Sequence, residues 1–282
     1  MSSQLRREGV DVAQTREAFG SLQDLQARYG ELATDAALAA GGALPPPAGT
    51  AVDGAALARS LWKGNWSDAL FDAIGFVPVL GDGAKAGRLA NKLHDLRRLV
   101  TAGQQAVNRA FAATRRAAAR HWDAVRQANR ARYEEAIRSC TTKACRESAA
   151  NLKGPQYGNT PRSGDRGEWV GERGDSVWQP SNGGPPIRYE NGFPDYSAHS
   201  VHNVDIAMRG NRTSDFRAAD NAVRDRLGDP DWEMPRGYTW HHHEDGVTMQ
   251  LVPQSVHGTG AGASTPHMGG ATLYDGSQAG EF

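Results

Sequence analysis

Two stretches in the first half of the chain carry the pattern of long helices. Residues 3–40 are polar and alanine-rich with apolar residues at spacings of three and four, which predicts one or two amphipathic helices. Residues 84–151 are rich in alanine, arginine and lysine with few helix breakers, and they predict one or two more. The three prolines within residues 41–50 end any helix and predict a linker or a rigid turn.

The most apolar run of the chain lies between the predicted linker and the second helical stretch, at about residues 60–83. Pro78 and Gly81 interrupt it, so we predict a helical hairpin with a tight turn. The run is too short to span a membrane. Burial in the protein is the preferred interpretation, and contact with a membrane surface is the alternative.

The pattern changes after residue 155. Short apolar and aromatic runs are separated by Gly, Pro, Asn and Asp, which is typical of strands and hairpins. One helix is indicated, with Thr213 or Ser214 as its cap and with Gly228 and Pro230 closing it. The sequence therefore predicts an α+β protein, with a helical region at residues 1–155 and a small loop-rich domain at residues 156–282.

Charge divides the chain in the same place. The net charge is zero, yet residues 1–155 hold 22 of the 32 basic residues and 15 of the 32 acidic ones. The basic helical face in this part either binds nucleic acid or is simply solvated. It consists of Arg109, Arg115, Arg116, Arg120, Arg126, Arg130 and Arg132.

Two cysteines exclude a disulfide-stapled secreted scaffold and a cysteine-rich zinc ribbon. Cys140 and Cys145 have no second pair or histidine at ligand spacing, so we expect at most a local disulfide in an oxidising compartment. The N-terminus has charges but no apolar core region behind them, so a Sec-type signal peptide is not expected.

Five of the nine histidines lie between residues 241 and 267. Residues 238–243 and 247–252 predict a hairpin, and alternation directs His241 and His243 to one face and His242 to the other. A helix beginning near Pro253 would bring His257 towards the hairpin, and His267 follows. Imidazoles gathered in this way favour a catalytic metal site, with a structural metal site or no metal as alternatives. A metalloprotease HExxH motif is excluded because the second histidine is missing.

The segment TWHHHEDGVTMQLVP, followed by His257 and by PHMGG, resembles the WHH family of the HNH/endonuclease VII superfamily, the nuclease toxins of bacterial polymorphic toxin systems. The resemblance extends over about residues 157–270. It implies a ββα-metal finger in which His241, His257 and His267 hold one divalent ion. Mg²⁺ is the first expectation for that ion, with Zn²⁺, Mn²⁺ or Ni²⁺ as alternatives.

The same resemblance implies that His242 is the general base, taking a proton from the water that attacks a phosphodiester. In a shifted register His243 would replace one of the ligands. Arg173 is a candidate phosphate ligand because a guanidinium binds phosphate through two parallel hydrogen bonds; a plain ion pair with Glu172 is the alternative.

The N-terminal segments LPPPAGT and DAIGFVPVLGD are similar to the pre-toxin regions of type VI secretion and Rhs-type effectors. The expected function is therefore that of a secreted antibacterial effector, delivered without a Sec signal into the cytoplasm of a target bacterium, where it hydrolyses DNA. An RNase toxin and a non-enzymatic module with structural zinc are the alternatives. The implied partners are DNA, a cognate immunity protein, and a secretion chaperone, adaptor or VgrG/PAAR-type carrier.

Overall fold

The computed structural model describes residues 4–41, 83–258 and 265–274. Apart from Gly41 and Gly83, which belong to helices, the predicted linker at residues 41–50 and the predicted apolar hairpin at residues 60–83 lie outside the described residues. Among the helices that are described, none has the length and apolar character needed to cross a membrane.

Helices dominate the first half of the described chain, as predicted. They are α1 (Gln4–Arg7), α2 (Val12–Gly41), α3 (Gly83–Arg138), α4 (Lys143–Ala150) and α5 (Pro155–Gly158), with a 3₁₀ turn at Asn151–Lys153. Between α3 and α4, Cys140 and Cys145 form a disulfide, and the Thr142 hydroxyl caps α4 by accepting the Cys145 N–H at 3.2 Å.

Contacts divide the chain into two compact units. One comprises Ala13–Ala110 and Asn221–Trp232, in which the side chain of Leu22 packs over Gly103. The other comprises Met1–Val12, Phe111–Asp220 and Glu233–Phe282. The domain boundary at residue 155 stays a prediction.

A four-stranded antiparallel meander follows the helices. Its strands are β1 (Gly167–Trp169), β2 (Val177–Pro180), β3 (Ile187–Glu190) and β4 (Phe193–Asp195). In β1 and β3 buried and exposed residues alternate, so one face of the meander supplies Trp169, Ile187 and Tyr189 to an apolar core.

A second, three-stranded antiparallel sheet has the order β5-β7-β6. Its strands are β5 (His202–Asp205), β6 (Tyr238–His242) and β7 (Thr248–Pro253). Helix α6 (Arg212–Leu227) lies between β5 and β6 in the chain; helix α7 (Gln254–His257) and a 3₁₀ turn (Gly270–Leu273) come after β7. The structure thus confirms an α+β fold with a helical N-terminal region and a small C-terminal sheet domain.

Single residues set two helix ends, and the first differs from the predicted cap at Thr213 or Ser214. Helix α6 begins at Arg212 because Asn211 is its cap: the Asn211 side-chain oxygen accepts the Ser214 N–H at 3.1 Å. Helix α7 is a single turn that ends at Gly258 in the left-handed conformation, with φ 95°.

The two faces of the β5-β7-β6 sheet pack against different elements. On one face Val252 belongs to the same apolar cluster as Trp169, Tyr196 and Val256. On the other face the fully buried Trp240 donates from Nε1 to Asp220 Oδ1 of helix α6 at 2.8 Å. Trp240 is therefore a core residue, and both faces of this sheet are covered.

Candidate functional site

The turn between β6 and β7 is fixed by its own side chains. Asp245 Oδ1 accepts the N–H groups of Val247 and Thr248 at 2.8 Å each, and Gly246 adopts φ 74°. Burial alone would raise the pKa of Asp245, but the hydrogen bond and charge of His243 and the two amides lower this pKa far below its ordinary value. The carboxylate is therefore ionised and holds the hairpin closed.

Helix α3 supports this turn from outside the hairpin. Arg115 Nε donates to Asp245 Oδ2 at 3.1 Å, and Trp122 Nε1 donates to the carbonyl oxygen of Glu244 at 3.1 Å. The part of α3 after Phe111 thus belongs to the same compact unit as the hairpin.

Three histidines meet on one side of the hairpin. His241 comes from β6, His257 from the end of α7, and His267 from the segment before the last 3₁₀ turn. Each offers a ring nitrogen, and these three atoms all lie within 4.8 Å of one another. The three side chains are at most 2% exposed. The structure therefore brings together all three predicted metal ligands.

Tyr196 covers this group of histidines. Its ring contacts all three imidazoles, with centroids 4.9 Å from His241 and 5.6 Å from His257 and His267. Its hydroxyl lies 3.4 Å from His267 Nδ1 and 3.5 Å from Thr265 Oγ1. Tyr196 follows β4 directly, so the meander contributes a wall of the site that the sequence did not reveal.

His267 reaches the site without being on a helix, although the resemblance to the WHH family implies a helix-side histidine at this position. Thr265 Oγ1 donates to the carbonyl oxygen of Val256 at 2.8 Å and so returns the chain to the end of α7. Three residues after His267 the 3₁₀ turn begins with Gly270, where a Cβ would collide with the carbonyl oxygen of His243. The glycines of PHMGG therefore allow the chain to close against the hairpin turn.

The donor set fits a divalent cation. Three imidazole nitrogens gathered in a buried space are the ligands that zinc and similar transition ions prefer. The side-chain oxygen of Gln250, on the strand beside His241, is buried and lacks a hydrogen-bond partner in the described part of the chain. A cation bound by the histidines would place positive charge beside that oxygen.

His242 occupies the opposite face of the hairpin, as alternation predicted. Its Nε2 lies 3.3 Å from Asp215 Oδ2 on helix α6, and both residues are 1% exposed. The ring of Phe216 packs 5.7 Å away. The predicted general base therefore has a buried carboxylate partner that sequence reasoning missed.

Asp215 also organises the loop that precedes its helix. Its carboxylate accepts the backbone N–H groups of Arg209 at 2.9 Å, Gly210 at 2.9 Å and Asn211 at 3.2 Å. A carboxylate in the first turn of a helix commonly accepts backbone N–H groups at the start of that helix. The signal for the contact with His242 is thus weak in sequence, because the two residues are 27 positions apart.

His243 lies outside the group of three. Its Nδ1 accepts the Asp245 N–H at 3.2 Å in the hairpin turn. Burial lowers the pKa of His243, but the Asp245 hydrogen bond and the charges of Glu244 and Asp245 outweigh burial and raise this pKa. The structure therefore favours the register in which His241, rather than His243, joins the group.

Arg173 does not fit the predicted phosphate site. It is 2% exposed, and all five guanidinium N–H groups donate within the protein at 2.8 to 3.1 Å. The acceptors are Thr160 Oγ1, Asn151 Oδ1 and the carbonyl oxygens of Glu147, Tyr157, Thr160 and Pro161. No N–H remains for a phosphate, so these contacts give Arg173 a structural role.

The alternative role for Arg173, an ion pair with Glu172, does not fit either, because Glu172 has other partners. Glu172 forms an ion pair with Lys153 at 2.7 Å and accepts the hydroxyl hydrogen of Tyr133.

Much of the basic face of α3 also forms ion pairs within the chain. Its ion pairs are Arg115 with Asp205 and Asp245, Arg120 with Glu8, Arg126 with Asp123, and Arg130 with Glu134.

Comparison with known families gives a match over the hairpin and its histidines. Residues 233–277 match the WHH family model, described as a nuclease of the HNH/ENDO VII superfamily with conserved WHH. The matched range contains Trp240, His241 and His242 as well as both later histidines. The comparison with curated proteins gives no match. Residues 233–277 are therefore a WHH domain, and this protein carries a nuclease domain of the HNH/ENDO VII superfamily.

Proposed function

We propose that the protein is a divalent-metal-dependent endonuclease that hydrolyses phosphodiester bonds in DNA. The observation that carries this proposal is the buried convergence of His241, His257 and His267 within the matched WHH domain. An HNH-type nuclease implies a divalent metal, and these three side chains would hold it. When bound, the ion would stabilise the charge that develops on the leaving 3′ oxygen.

An all-nitrogen ligand set bears on which ion is bound. Mg²⁺ prefers oxygen ligands, whereas imidazole suits Zn²⁺, Ni²⁺ and related ions. We therefore rank Zn²⁺ and Ni²⁺ above Mg²⁺, which reverses the order expected from the sequence.

His242 is proposed as the residue that takes a proton from the attacking water. The Asp215 carboxylate beside Nε2 would stabilise the imidazolium that forms. The same contact fixes the orientation of the ring. Because His242 is 1% exposed, this role requires the protein around it to open towards the substrate.

A second candidate is a non-enzymatic module whose three histidines bind a structural zinc ion. One observation favours it: His242 is buried on the face of β6 opposite to the histidine group and already has a carboxylate partner. In this reading His242 is a structural residue, and the wild-type protein has no nuclease activity that its replacement could remove.

Purified protein incubated with supercoiled plasmid and with structured RNA, each with added metal or with EDTA, tests these readings. The proposal expects metal-dependent cleavage of plasmid and loss of cleavage in His242→Ala. Cleavage of RNA alone would make the protein an RNase with the same site. Cleavage of neither by protein that binds zinc would favour the structural module.

The wider role that we propose is that of a secreted antibacterial effector acting in the cytoplasm of the target cell. A cognate immunity protein and a chaperone, adaptor or VgrG/PAAR-type carrier for the N-terminal region would be its partners. The support is the resemblance of two N-terminal segments to effector pre-toxin regions. Expression of wild type and His267→Ala in bacteria tests the toxic part of this role: only wild type is expected to arrest growth with loss of DNA.

A further inference from the structure

We propose that Gln250 is the fourth protein group of the metal centre, with its side-chain amide oxygen directed to the ion or to a water on the ion. This inference rests on the proposed function in one respect: it takes His241, His257 and His267 as the ligands. It adds a neutral oxygen donor to a site otherwise made of nitrogen.

Strand pairing puts Gln250 beside a proposed ligand. Strand β7 is the middle strand of its sheet, and Gln250 is directly paired with His241 on β6 and with Asn203 on β5. Directly opposed residues share a face of the sheet, with Cβ atoms roughly 5 Å apart. Gln250 therefore lies on the face that carries the histidine group.

Helix α7 and the meander cover that same face. Val252, two residues along β7 and hence on the side of Gln250, packs in one cluster with Val256 of α7 and Tyr196. Tyr196 in turn contacts His241, with ring centroids 4.9 Å apart. The side chain of Gln250 is thus enclosed in the same layer as the three imidazoles, and it is 5% exposed.

The amide oxygen of Gln250 lacks a hydrogen-bond partner among the described residues. A buried carbonyl-type oxygen without a partner costs free energy, so native proteins generally supply it with a donor, a water or an ion. A cation at the neighbouring histidines supplies that partner, either directly or through a coordinated water. Side-chain amide oxygens are established ligands of divalent ions.

Burial alone does not make this case, as Gln156 shows. Both polar atoms of the Gln156 amide are buried without a partner in the described chain, yet Gln156 lies in the short helix α5, where its side chain packs against Gly154 and Gly192. Among the described residues, the side chains that could hold a metal ion together are His241, His257 and His267. None of them is one of the residues against which Gln156 packs. Gln250 differs because its cross-strand neighbour His241 belongs to that group.

The test is Gln250→Met, which keeps the length of the side chain and removes the oxygen. Metal-free wild type and variant are titrated with Co²⁺ by calorimetry, and the visible absorption of the Co²⁺ complexes is recorded. We expect Kd for Co²⁺ to rise roughly 10–100-fold and the absorption spectrum to change. The melting temperature of the metal-free variant is expected to be unchanged or higher, because an unpartnered buried oxygen has been removed.

Gln254→Met is the matched control. Gln254 lies at the start of α7, and its exposed side-chain amide donates to the Tyr238 carbonyl oxygen at 3.1 Å. Its replacement is expected to leave both Kd and the spectrum of the Co²⁺ complex unchanged. In case Gln250→Met fails to fold, Gln250→Glu provides a second test, because a carboxylate at this position is expected to tighten Co²⁺ binding at least 10-fold.

A folded Gln250→Met protein with the Kd and spectrum of wild type would overturn the inference, as would a Gln250→Glu protein with unchanged affinity. Either result leaves the proposed nuclease function intact, because wild type still binds the ion. A wild-type protein that binds no Co²⁺ would instead contradict the proposed metal dependence, and Gln250 would lose its role with it.

Discussion

The two faces of the β5-β7-β6 sheet place neighbouring histidines in opposite chemical surroundings. His241 meets two further imidazoles, whereas His242 meets the buried carboxylate of Asp215. Imidazoles that share one space can be satisfied together by a cation, and an imidazole paired with a carboxylate is suited to carry a proton. In the proposed function, alternation along a single strand would thus separate metal binding from proton transfer.

The largest expected effect is on the metal face. His267→Ala removes one of the three proposed ligands, so the affinity for Zn²⁺ should fall more than about 100-fold and nuclease activity with it. Calorimetric titration of the metal-free protein measures this. His243→Ala is the matched control, since His243 lies in the hairpin turn outside the group; equal losses in both variants would contradict the assignment of the site.

On the opposite face, His242→Ala should separate activity from metal binding. We expect kcat to fall roughly 10²–10⁴-fold, the range for loss of a general base, with Kd for Zn²⁺ nearly unchanged. Plasmid cleavage and calorimetry on the same preparation measure the two quantities. Asp220→Asn is the control for a general disturbance of this face. Asp220 lies about one turn after Asp215 on α6, and asparagine keeps a side-chain oxygen that can accept the Trp240 N–H. A His242→Ala protein with wild-type kcat would favour a purely structural His242–Asp215 pair.

A third substitution tests whether Arg173 stabilises the fold rather than binding phosphate. Arg173→Lys loses most of six hydrogen bonds from a buried guanidinium, so the free energy of unfolding should fall by about 3 kcal/mol or more. Urea denaturation measures this, with the exposed Arg188→Lys as a control. Specific activity per folded molecule should stay at the wild-type level; a selective rise in KM would restore the phosphate-binding role.

The smallest expected effect is at the contact of α3 with the hairpin turn. Arg115 pairs with Asp205 and Asp245 but is 38% exposed, so solvent screens these pairs. Arg115→Gln should lower the free energy of unfolding by about 0.5–1 kcal/mol and leave metal binding unchanged. Thermal melts alongside Arg116→Gln, an exposed neighbour, measure the difference. A loss of metal affinity in Arg115→Gln would mean that the turn controls the histidine group.

The hairpin and its histidines could be predicted because their signals are local. Alternation in β6 predicted the faces of His241 and His242, and the start of a helix near Pro253 placed His257 close to the hairpin. Even here the sequence predicted the start of the helix after β7 but not its end, which Gly258 sets after one turn. Short-range pattern therefore accounts for the position of the site in the chain.

Contacts between distant segments could not be predicted. The acceptors of Arg173 are mostly backbone carbonyl oxygens of a loop and a helix end, and no residue type marks them in a sequence. Tyr196 and Asp215 join the site only because the meander and α6 pack on opposite faces of the sheet. For the same reason, the ion pairs of Arg115 with Asp205 and Asp245 could not be predicted, and from the sequence the basic face of α3 could be either a surface for nucleic acid or a solvated face.

The most direct test of the central claim is plasmid cleavage by metal-free protein as a function of added Zn²⁺ or Ni²⁺, expressed as equivalents per protein molecule. If His241, His257 and His267 form one ion site that the nuclease requires, cleavage should rise to a plateau at one equivalent in wild type. It should be absent throughout the titration in His267→Ala. Cleavage that persists in EDTA-treated wild type, or that is equal in His267→Ala, would contradict the account.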